Sequence, residues 1–454
     1  MTDINEIIAK HRGKKVAVLG LGVSNMPLVR LLKTWGAEIT ILDRRSELPD
    51  EFLSDVTLKF SCGDGYLDRL ADTGYDIIYR TPGLYPYIPQ ISAAVKNGAV
   101  LSSEMELFFE LCPAPITAVT GSDGKTTTTT LIAKLYEAAG FKTFLGGNIG
   151  TPLLSSLGEI KPNDKVVLEL SSFQLITMVR SPETAVITNL SPNHLDVHRS
   201  YEEYGNAKKN IFKYQSAYGT VVLNADNAFT AGCASEANGR VLMFSRREKP
   251  ENGVYKDENG DIYFRENGKE TFLFNGSEIL IKGEHNAENF MAAMAAVGCD
   301  IASKYGRELA RSFGGVEHRN RLIATKNGVR FYDDSIGTSP TRTVATLSAF
   351  DEQVILILGG YDKKVSFEPL RGPVSEKAKA VFLCGNTAGR IYAALDGCGV
   401  PLTRCGNFDE AVKAAAAAAK DGDAVVLSPA CASFDEFKNF AERGKRFAQL
   451  VEEL

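Results

Sequence analysis

No stretch of this sequence is apolar for long enough to span a bilayer. The opening residues Met1-Thr2-Asp3-Ile4-Asn5-Glu6 lack the basic-then-apolar order of a signal peptide, so a cytoplasmic protein is expected. The eight cysteines are scattered and form no Cys-x-x-Cys pair, which fits a zinc site or a disulfide framework poorly. Buried thiols in a reducing compartment fit better. No long basic run occurs and the net charge is −5, so a nucleic-acid partner is not expected. No short-period repeat is visible, and a solenoid is excluded with it. What is present is the composition of a globular protein, 44% hydrophobic and 24% charged. A chain of 454 residues exceeds one ordinary core and suggests about three domains.

Three blocks follow along the chain. In residues 1–102, the buried-strand pattern Lys15-Val16-Ala17-Val18-Leu19-Gly20 leads through glycines into an apolar helix ending near Trp35. A strand over 38–42 ends at Asp43, and Asp76-Ile77-Ile78-Tyr79 leads to the turn Thr81-Pro82-Gly83. This alternation reads as a parallel α/β sheet. Residues 103–315 add strand candidates at 165–170 and 184–190. Four Asn-Gly pairs between 252 and 276 suggest β-hairpins on the edge of that block, and an alanine- and methionine-rich helix over 286–305 closes it. Residues 316–454 hold strands at 354–358, 380–383 and 424–427 and a helix over 409–420, a second open α/β sheet.

The chemistry concentrates at strand ends, where ligands bind in such sheets. Thr120-Gly121-Ser122-Asp123-Gly124-Lys125-Thr126-Thr127 follows the apolar run Ile116-Thr117-Ala118-Val119 and opens a helix over 126–139. Strand, glycine turn, lysine and helix N-terminus together make a phosphate pocket. The turn N–H groups and helix dipole favour an anion, Lys125 adds charge, and the Thr126 hydroxyl can reach a magnesium ion. The common P-loop has four residues between its first glycine and its Gly-Lys pair. Here only Ser122 and Asp123 intervene, so the stretch is a shorter relative of that loop or a chance turn.

Gly20-Leu21-Gly22-Val23-Ser24-Asn25, with Asp43 after the next strand, reads as a dinucleotide-type fingerprint with Asn25 in place of the third glycine. Either a nucleotide or nucleotide-sugar sits at this helix start, with Asp43 and Arg45 near its polar edge, or the turn is simply tight. Glu169 and His194 each follow a strand candidate. If those strands neighbour the phosphate loop, a carboxylate and an imidazole converge there, and Glu169 is the better magnesium ligand. Lys208 reads from periodicity alone as a surface lysine on an amphipathic helix. Asn286 either caps the helix it opens or, with Asn289, faces a purine edge. In the last block, Arg319 and Lys363 suit anions and Asp334 suits a base or ribose. A serine and a lysine after two strands of one sheet suit a small carboxylate.

Together these residues resemble the Mur ligase family, ATP-dependent enzymes that extend the peptide of the bacterial cell-wall precursor, a process tied to cell shape and division. The resemblance covers nearly the whole chain and accounts for the short loop, which is that family's own. Within the family it is strongest to the member that joins D-glutamate to UDP-N-acetylmuramoyl-L-alanine. Three segments carry that choice: Glu169-Leu170-Ser171-Ser172-Phe173-Gln174-Leu175, Gly147-Asn148-Ile149-Gly150, and the run from Leu427-Ser428-Pro429 through Asn439-Phe440 to Arg443-Gly444. The Asp-Asn-Pro-Arg motif of the diaminopimelate-adding relative is absent.

The resemblance implies a Rossmann-like domain for the uridine-linked substrate (1–102), a central P-loop-type ATPase domain with a mainly parallel sheet (103–315), and a Rossmann-like domain for the amino acid (316–454). It implies ATP and two magnesium ions as cofactors, and a cytoplasmic monomer without nucleic acid. Gly121, Ser122, Asp123, Gly124, Lys125, Thr126 and Thr127 would hold the ATP phosphates, with Asn286, Arg319 and Asp334 on adenine, phosphate and ribose. Lys125, Glu169, His194 and Lys208 would be catalytic. Thr126, Glu169, His194 and a carbamylated Lys208 would hold metal. Gly22, Val23, Ser24, Asn25, Asp43, Arg45, Thr81 and Asn148 would face the uridine-linked substrate, and Lys363, Ser433, Phe440 and Thr338 the D-glutamate. The chain departs from the family pattern at Asp123, where many relatives have asparagine, and at Ile336, where a lysine is often found. Two other readings stay open: a superfamily ligase with another acceptor, such as a folate-polyglutamate synthase, and a nucleotide-binding regulator using the first fingerprint for NAD.

Overall fold

The computed structural model describes residues 4–192, 197–281, 283–362 and 365–454. The described residues form three sheets in two compact units, Met1–Ser312 and Phe313–Leu454. The first sheet contains β1 (Lys15–Leu19), β2 (Glu38–Asp43), β3 (Lys59–Cys62), β4 (Ile77–Arg80) and β5 (Val100–Ser102), ordered β3-β2-β1-β4-β5 with every pair parallel. Residues Val16, Ala17, Val18 and Leu19 are all buried, as an unbroken apolar run in a strand covered on both faces requires.

The second sheet holds β6 (Ile116–Thr120), β7 (Thr143–Gly147), β8 (Lys165–Glu169), β9 (Thr184–Ile187), β10 (Thr220–Asn224), β11 (Arg240–Ser245), β12 (Gly253–Lys256), β13 (Asp261–Glu266) and β14 (Lys269–Asn275). Their order is β14-β13-β12-β11-β10-β9-β6-β8-β7. The strand before the phosphate loop, β6, lies between β8 and β9, so the chain turns back across it there. This is the crevice position where open α/β sheets bind ligands.

Of the four Asn-Gly pairs, two close hairpins. Asn267 and Gly268 join β13 to β14 with φ of 51° and 78°, a two-residue turn of the mirror-image kind, and Asn259-Gly260 sits in the β12–β13 connection. The other two do not. Gly253 opens β12, which runs parallel to β11, and Asn275 caps the short turn Gly276–Glu278. The single helix expected over 286–305 is two, Glu284–Val297 and Cys299–Ser312. Gly298 separates them with φ of 86°, a left-handed backbone that glycine adopts without a Cβ penalty.

The two sheets of Met1–Ser312 share one continuous apolar cluster. Val16, Val18 and Leu28 belong to it, as do Phe108, Leu154, Ala118 and Leu168. Helix Glu104–Leu111 supplies part of the seam through Met105, Leu107 and Phe108. That shared core is why two sequence blocks make one compact unit.

The third sheet has β15 (Arg321–Lys326), β16 (Val329–Asp333), β17 (Val354–Gly359), β18 (Ala378–Cys384), β19 (Leu402–Arg404) and β20 (Ala424–Leu427), ordered β15-β16-β20-β17-β18-β19. Among the described strands of this sheet only the β15–β16 pair is antiparallel. Separate apolar clusters pack on its two faces, one around Leu356 and Val426 and one around Ile357 and Phe447.

Candidate active site

The phosphate loop connects β6 to the helix Lys125–Ala138. Gly121 and Gly124 have φ of 147° and 75°, and each is held where a side chain has no room. A Cβ on Gly121 would collide with the Thr188 hydroxyl, and one on Gly124 with the Asn289 amide oxygen. The neighbouring β9 end clamps the loop from outside. Thr188 Oγ1 donates to the Asp123 carbonyl at 2.6 Å, and the Asp123 N–H donates to Asn189 Oδ1 at 2.9 Å. Lys125 Nζ donates to the carbonyls of Gly121 and Ser122 at 3.0 and 2.9 Å, folding its charge over the loop. Thr127 is half-buried beside it.

Strand register explains why Glu169 meets this loop. Val119 pairs with Glu169 across β6 and β8, so the carboxylate ends its strand level with the glycine turn. Thr126 Oγ1 donates to Glu169 Oε2 at 2.6 Å, and Asn148 Nδ2 donates to Oε1 at 2.7 Å. The Asn148 N–H also donates to the Glu169 carbonyl at 2.7 Å. Asn148, expected at the uridine-linked substrate, therefore orients the Glu169 carboxylate. Its neighbour Gly147 is required because a Cβ there would strike the Glu169 carbonyl.

Lys208 lies on the buried face of helix Tyr201–Lys213, where periodicity alone put it on the surface. Its side chain is 1% exposed, and Nζ donates to the Gly121 carbonyl at 2.8 Å and to Thr120 Oγ1 at 3.5 Å. Burial, reinforced by the nearby Lys125 charge, holds its amine well below the ordinary lysine range, although Asp123 and Glu169 pull the other way. Tyr204 was not anticipated. Its ring lies 4.6 Å from Lys208 Nζ, and its hydroxyl shares a hydrogen bond of 3.0 Å with Ser122 Oγ. The four-residue spacing of Tyr204 and Lys208 on one helix face was the available signal.

Asn286 is the third residue of its helix and not the cap, which is Gly283. It accepts from Asn289 Nδ2 at 3.4 Å, and Asn289 Oδ1 accepts from Thr128 Oγ1 at 3.3 Å, so the pair joins this helix to the phosphate-loop helix. His194 and Lys363 lie outside the described residues.

The fingerprint after β1 is built differently from a three-glycine one. Asn25 is buried and its Nδ2 donates to the Gly20 carbonyl at 2.7 Å, filling the space that a third glycine would leave. Asp43 Oδ2 accepts from the Leu21 N–H at 2.7 Å and from Arg45 Nη2 at 2.8 Å, while Oδ1 accepts from the Arg45 N–H at 2.8 Å. Burial pushes the Asp43 carboxyl up, but these hydrogen bonds outweigh it and leave the group below the ordinary range. Asp43 and Arg45 thus shape the loop from beneath. Gly22, Val23, Ser24 and Thr81 stand at the accessible rim, with Val23 67% exposed.

In Phe313–Leu454, Asp334 faces inward. Its Oδ2 accepts from Thr346 Oγ1 and Ser428 Oγ, both at 2.7 Å, and Oδ1 accepts from the Asn320 N–H at 3.2 Å. Burial pushes its carboxyl up to about 6 against those bonds. Arg319 contributes a weaker lowering charge. Arg443 is buried and binds the carbonyls of Ser335, Cys431 and Ala432 at 2.9, 3.0 and 3.2 Å. It fixes the segment that carries buried Ser433. Phe440 begins the last helix and is part-exposed, its ring 6.0 Å from that of His318. Gly444 is small because a Cβ would strike the His318 ring, which Asp333 holds at 2.6 Å. Thr338 is half-buried in the loop after β16.

Family models match successive segments of the chain: a Mur ligase MurD-like N-terminal domain over residues 14–102, a Mur ligase middle domain over 119–297, and a Mur ligase glutamate ligase domain over 318–431. The UDP-N-acetylmuramoylalanine--D-glutamate ligase of Acetivibrio thermocellus is 51% identical, covering 100% of this chain and 99% of that protein. The protein of the same name from Clostridium acetobutylicum is 47% identical with the same coverage, 100% and 99%. Among solved structures, the UDP-N-acetylmuramate-alanine ligase MurC of Thermotoga maritima matches with a TM-score of 0.56 at 19% identity, over 97% of this chain and 99% of that one. The MurF ligase of Thermotoga maritima in complex with ADP matches with a TM-score of 0.53 at 17% identity, over 98% and 96%. These structures share the fold.

Proposed function

The chain belongs to the Mur ligase family, and we propose that it is the ATP-dependent ligase that joins D-glutamate to UDP-N-acetylmuramoyl-L-alanine, releasing ADP and phosphate. The observation that carries the substrates is full-length identity of about half with relatives of that name. The chemistry is supported by Thr126, Glu169, Lys125 and Lys208 around one glycine loop.

A carboxylate oxygen is a poor leaving group, so amide formation needs activation. The L-alanine carboxylate of the acceptor attacks the γ-phosphorus of ATP, and the bond to the ADP oxygen breaks. The D-glutamate nitrogen then attacks the acyl carbon and loses a proton, and phosphate departs with the bonding electron pair. Lys125 and the loop N–H groups of residues 121–127 hold the phosphates in line, and positioning and charge stabilisation carry the catalysis. Asn286, Arg319 and Asp334 serve the nucleoside and phosphate side, Asp334 by holding its loop. Gly22, Val23, Ser24 and Thr81 receive the uridine diphosphate, with Asn25, Asp43 and Arg45 shaping that loop. Thr338, Lys363, Ser433 and Phe440 receive the D-glutamate.

Magnesium fits the donor set, because the Thr126 hydroxyl and Glu169 carboxylate are hard oxygen donors at the phosphate loop. Carbamylation of Lys208 would add a further oxygen ligand: the unprotonated amine, favoured by burial, attacks the carbon of CO2 and loses a proton, leaving an N-carboxylate beside Glu169. His194 completes the proposed set for two ions, which would neutralise charge on the phosphates when bound.

The reading places the enzyme as a monomer in the cytoplasm. Among the described residues no helix is long and apolar enough to cross a membrane. The decisive experiment is an amino-acid panel for ADP release with the uridine-linked acceptor. D-glutamate should be used and L-glutamate refused. Turnover with L-glutamate and a folate-type acceptor would move the chain to another ligase, and ATP hydrolysis independent of any amino acid would favour a regulator. The inward engagement of Asp43 weighs against the NAD reading, which needs that carboxylate for a ribose hydroxyl.

A further inference from the structure

We infer that Arg80 is a positioning residue for this reaction, clamping the turn on the acceptor side to the segment that carries Glu169. The inference rests on the ligase reading given above. Arg80 ends β4 and is 1% exposed. Its Nη1 donates to the carbonyls of Thr81, Pro82 and Leu84 at 3.2, 3.1 and 2.7 Å, gathering one turn around a single nitrogen. Its Nη2 donates across to the Phe173 carbonyl at 2.7 Å and to Thr177 Oγ1 at 3.3 Å. One planar fork therefore serves two segments that follow strands of different sheets, β4 and β8.

The far side of the clamp is tied by hydrogen bonds to the strand that precedes the phosphate loop. Ser171 and Gln174 form a capping box over helix Ser172–Leu175. Leu170, between that helix and Glu169, is pinned at both ends: its N–H donates to the Val119 carbonyl at 2.8 Å, and its carbonyl accepts from Thr120 Oγ1 at 2.7 Å. A shift of the Thr81 turn relative to Phe173 is thus a shift relative to Glu169 and the phosphate loop. The same strap has a second anchor. Tyr85 OH donates to Glu203 Oε1 at 2.7 Å, on the helix that carries Lys208, and the Arg199 guanidinium lies over the Tyr85 and Tyr87 rings at 5.4 and 5.6 Å.

All five acceptors of Arg80 are neutral oxygens. An apolar side chain would fill this space without burying a charge, so what the guanidinium supplies is fixed geometry between the two elements. In-line attack demands reacting atoms about 3–3.5 Å apart, and a misplacement of about 1 Å lowers rates about 100-fold.

The test uses the full chain as wild type, Arg80→Met and Arg80→Lys. Kinetics of ADP release give kcat and the KM of acceptor and of ATP, calorimetry gives ADP affinity, and hydrogen exchange follows residues 81–84 and 172–177. In Arg80→Met we expect kcat to fall about 10- to 100-fold and acceptor KM to rise about tenfold, with ADP affinity within about twofold. Exchange should rise in both segments together. Arg80→Lys should behave the same way, because one ammonium cannot span both sets of carbonyls. The inference is overturned by unchanged kcat and acceptor KM in Arg80→Met, by recovery in Arg80→Lys, or by faster exchange in one segment only. If Arg80→Met does not fold, Arg80→Lys carries the same measurements. A wild type without D-glutamate-dependent ADP release would sink the ligase reading instead, and the exchange data would still decide whether the clamp exists.

Discussion

Lys208 Nζ donates a 2.8 Å hydrogen bond to the carbonyl oxygen of Gly121, which places a buried lysine against the first glycine of the phosphate loop. A lysine buried so fully is held towards its neutral form, first by desolvation and then by the Lys125 charge. Its unprotonated form is therefore favoured more than that of a surface lysine, which is what the proposed reaction with CO2 requires.

Lys208→Ala should lose ligation by about 100-fold or more, the scale expected when a ligand to a catalytic metal is removed. Adding a short carboxylic acid should restore part of the rate by placing a carboxylate in the vacated space. Assaying ADP release with and without the acid checks this. Full activity without the additive would show that Lys208 has no part in the reaction.

Lys125→Ala should abolish ligation, by about 100- to 1000-fold, with the fold unchanged by circular dichroism. Its ammonium is folded over the loop by bonds to the Gly121 and Ser122 carbonyls, so the loss should fall on phosphate binding and turnover. Near-normal turnover would remove the loop from the ATP site.

Asn148→Ala should raise the magnesium concentration needed for half-maximal ADP release by about 10- to 100-fold, the usual effect of removing a group that orients a metal ligand. Glu169 Oε1 would lose the 2.7 Å donor that fixes its rotamer. A magnesium titration separates this from acceptor binding: a change confined to the KM of the uridine-linked acceptor would return Asn148 to the substrate side.

Glu104→Gln should change the pH dependence of stability without entering the chemistry. Glu104 is buried at the start of its helix, its Oε1 has no hydrogen-bond partner among the described residues, and burial pushes its carboxyl up to about 7. The folded protein therefore holds the proton across the window from about 4.5 to about 7 while the unfolded chain releases it. Wild-type stability falls as pH rises through that window, and the penalty is complete above it. Glutamine does not titrate, so the variant should match wild type near pH 4.5 and gain up to about 3 kcal/mol by pH 8. Denaturant unfolding at both pH values checks it, and a constant difference between them would rule it out.

Much of the site was legible in the chain because local chemistry announces it. A glycine turn between an apolar run and a helix needs no tertiary information to read as a phosphate loop, and Gly121 and Gly124 do adopt the positive φ that such a turn requires. Glu169 was placed at a strand end by the apolar run before it. The contact of Asn148 with Glu169 was not legible, because the two are 21 residues apart in sequence and adjacent only through β7–β8 pairing. Periodicity alone put Lys208 on the surface, because its helix carries charge on both faces and periodicity does not say which face meets another element; only the family resemblance put it at the site. The helix over 286–305 was read as one because Gly298 inside an apolar pattern is a break only when its backbone turns left-handed.

By itself, then, the sequence determined the alternation that makes parallel sheets, many of the strands and helices, and the pattern of the phosphate loop, since these depend on side-chain period and on residues close in the chain. Only the tertiary structure decided that Arg80 reaches Phe173, that Asn148 holds Glu169, and that Lys208 is stripped of water beside Gly121. Those relationships come from strand order and from a core shared by two sheets. Burial then converts ordinary polar side chains into fixed hydrogen-bonding groups and holds the Lys208 amine well below the ordinary lysine range.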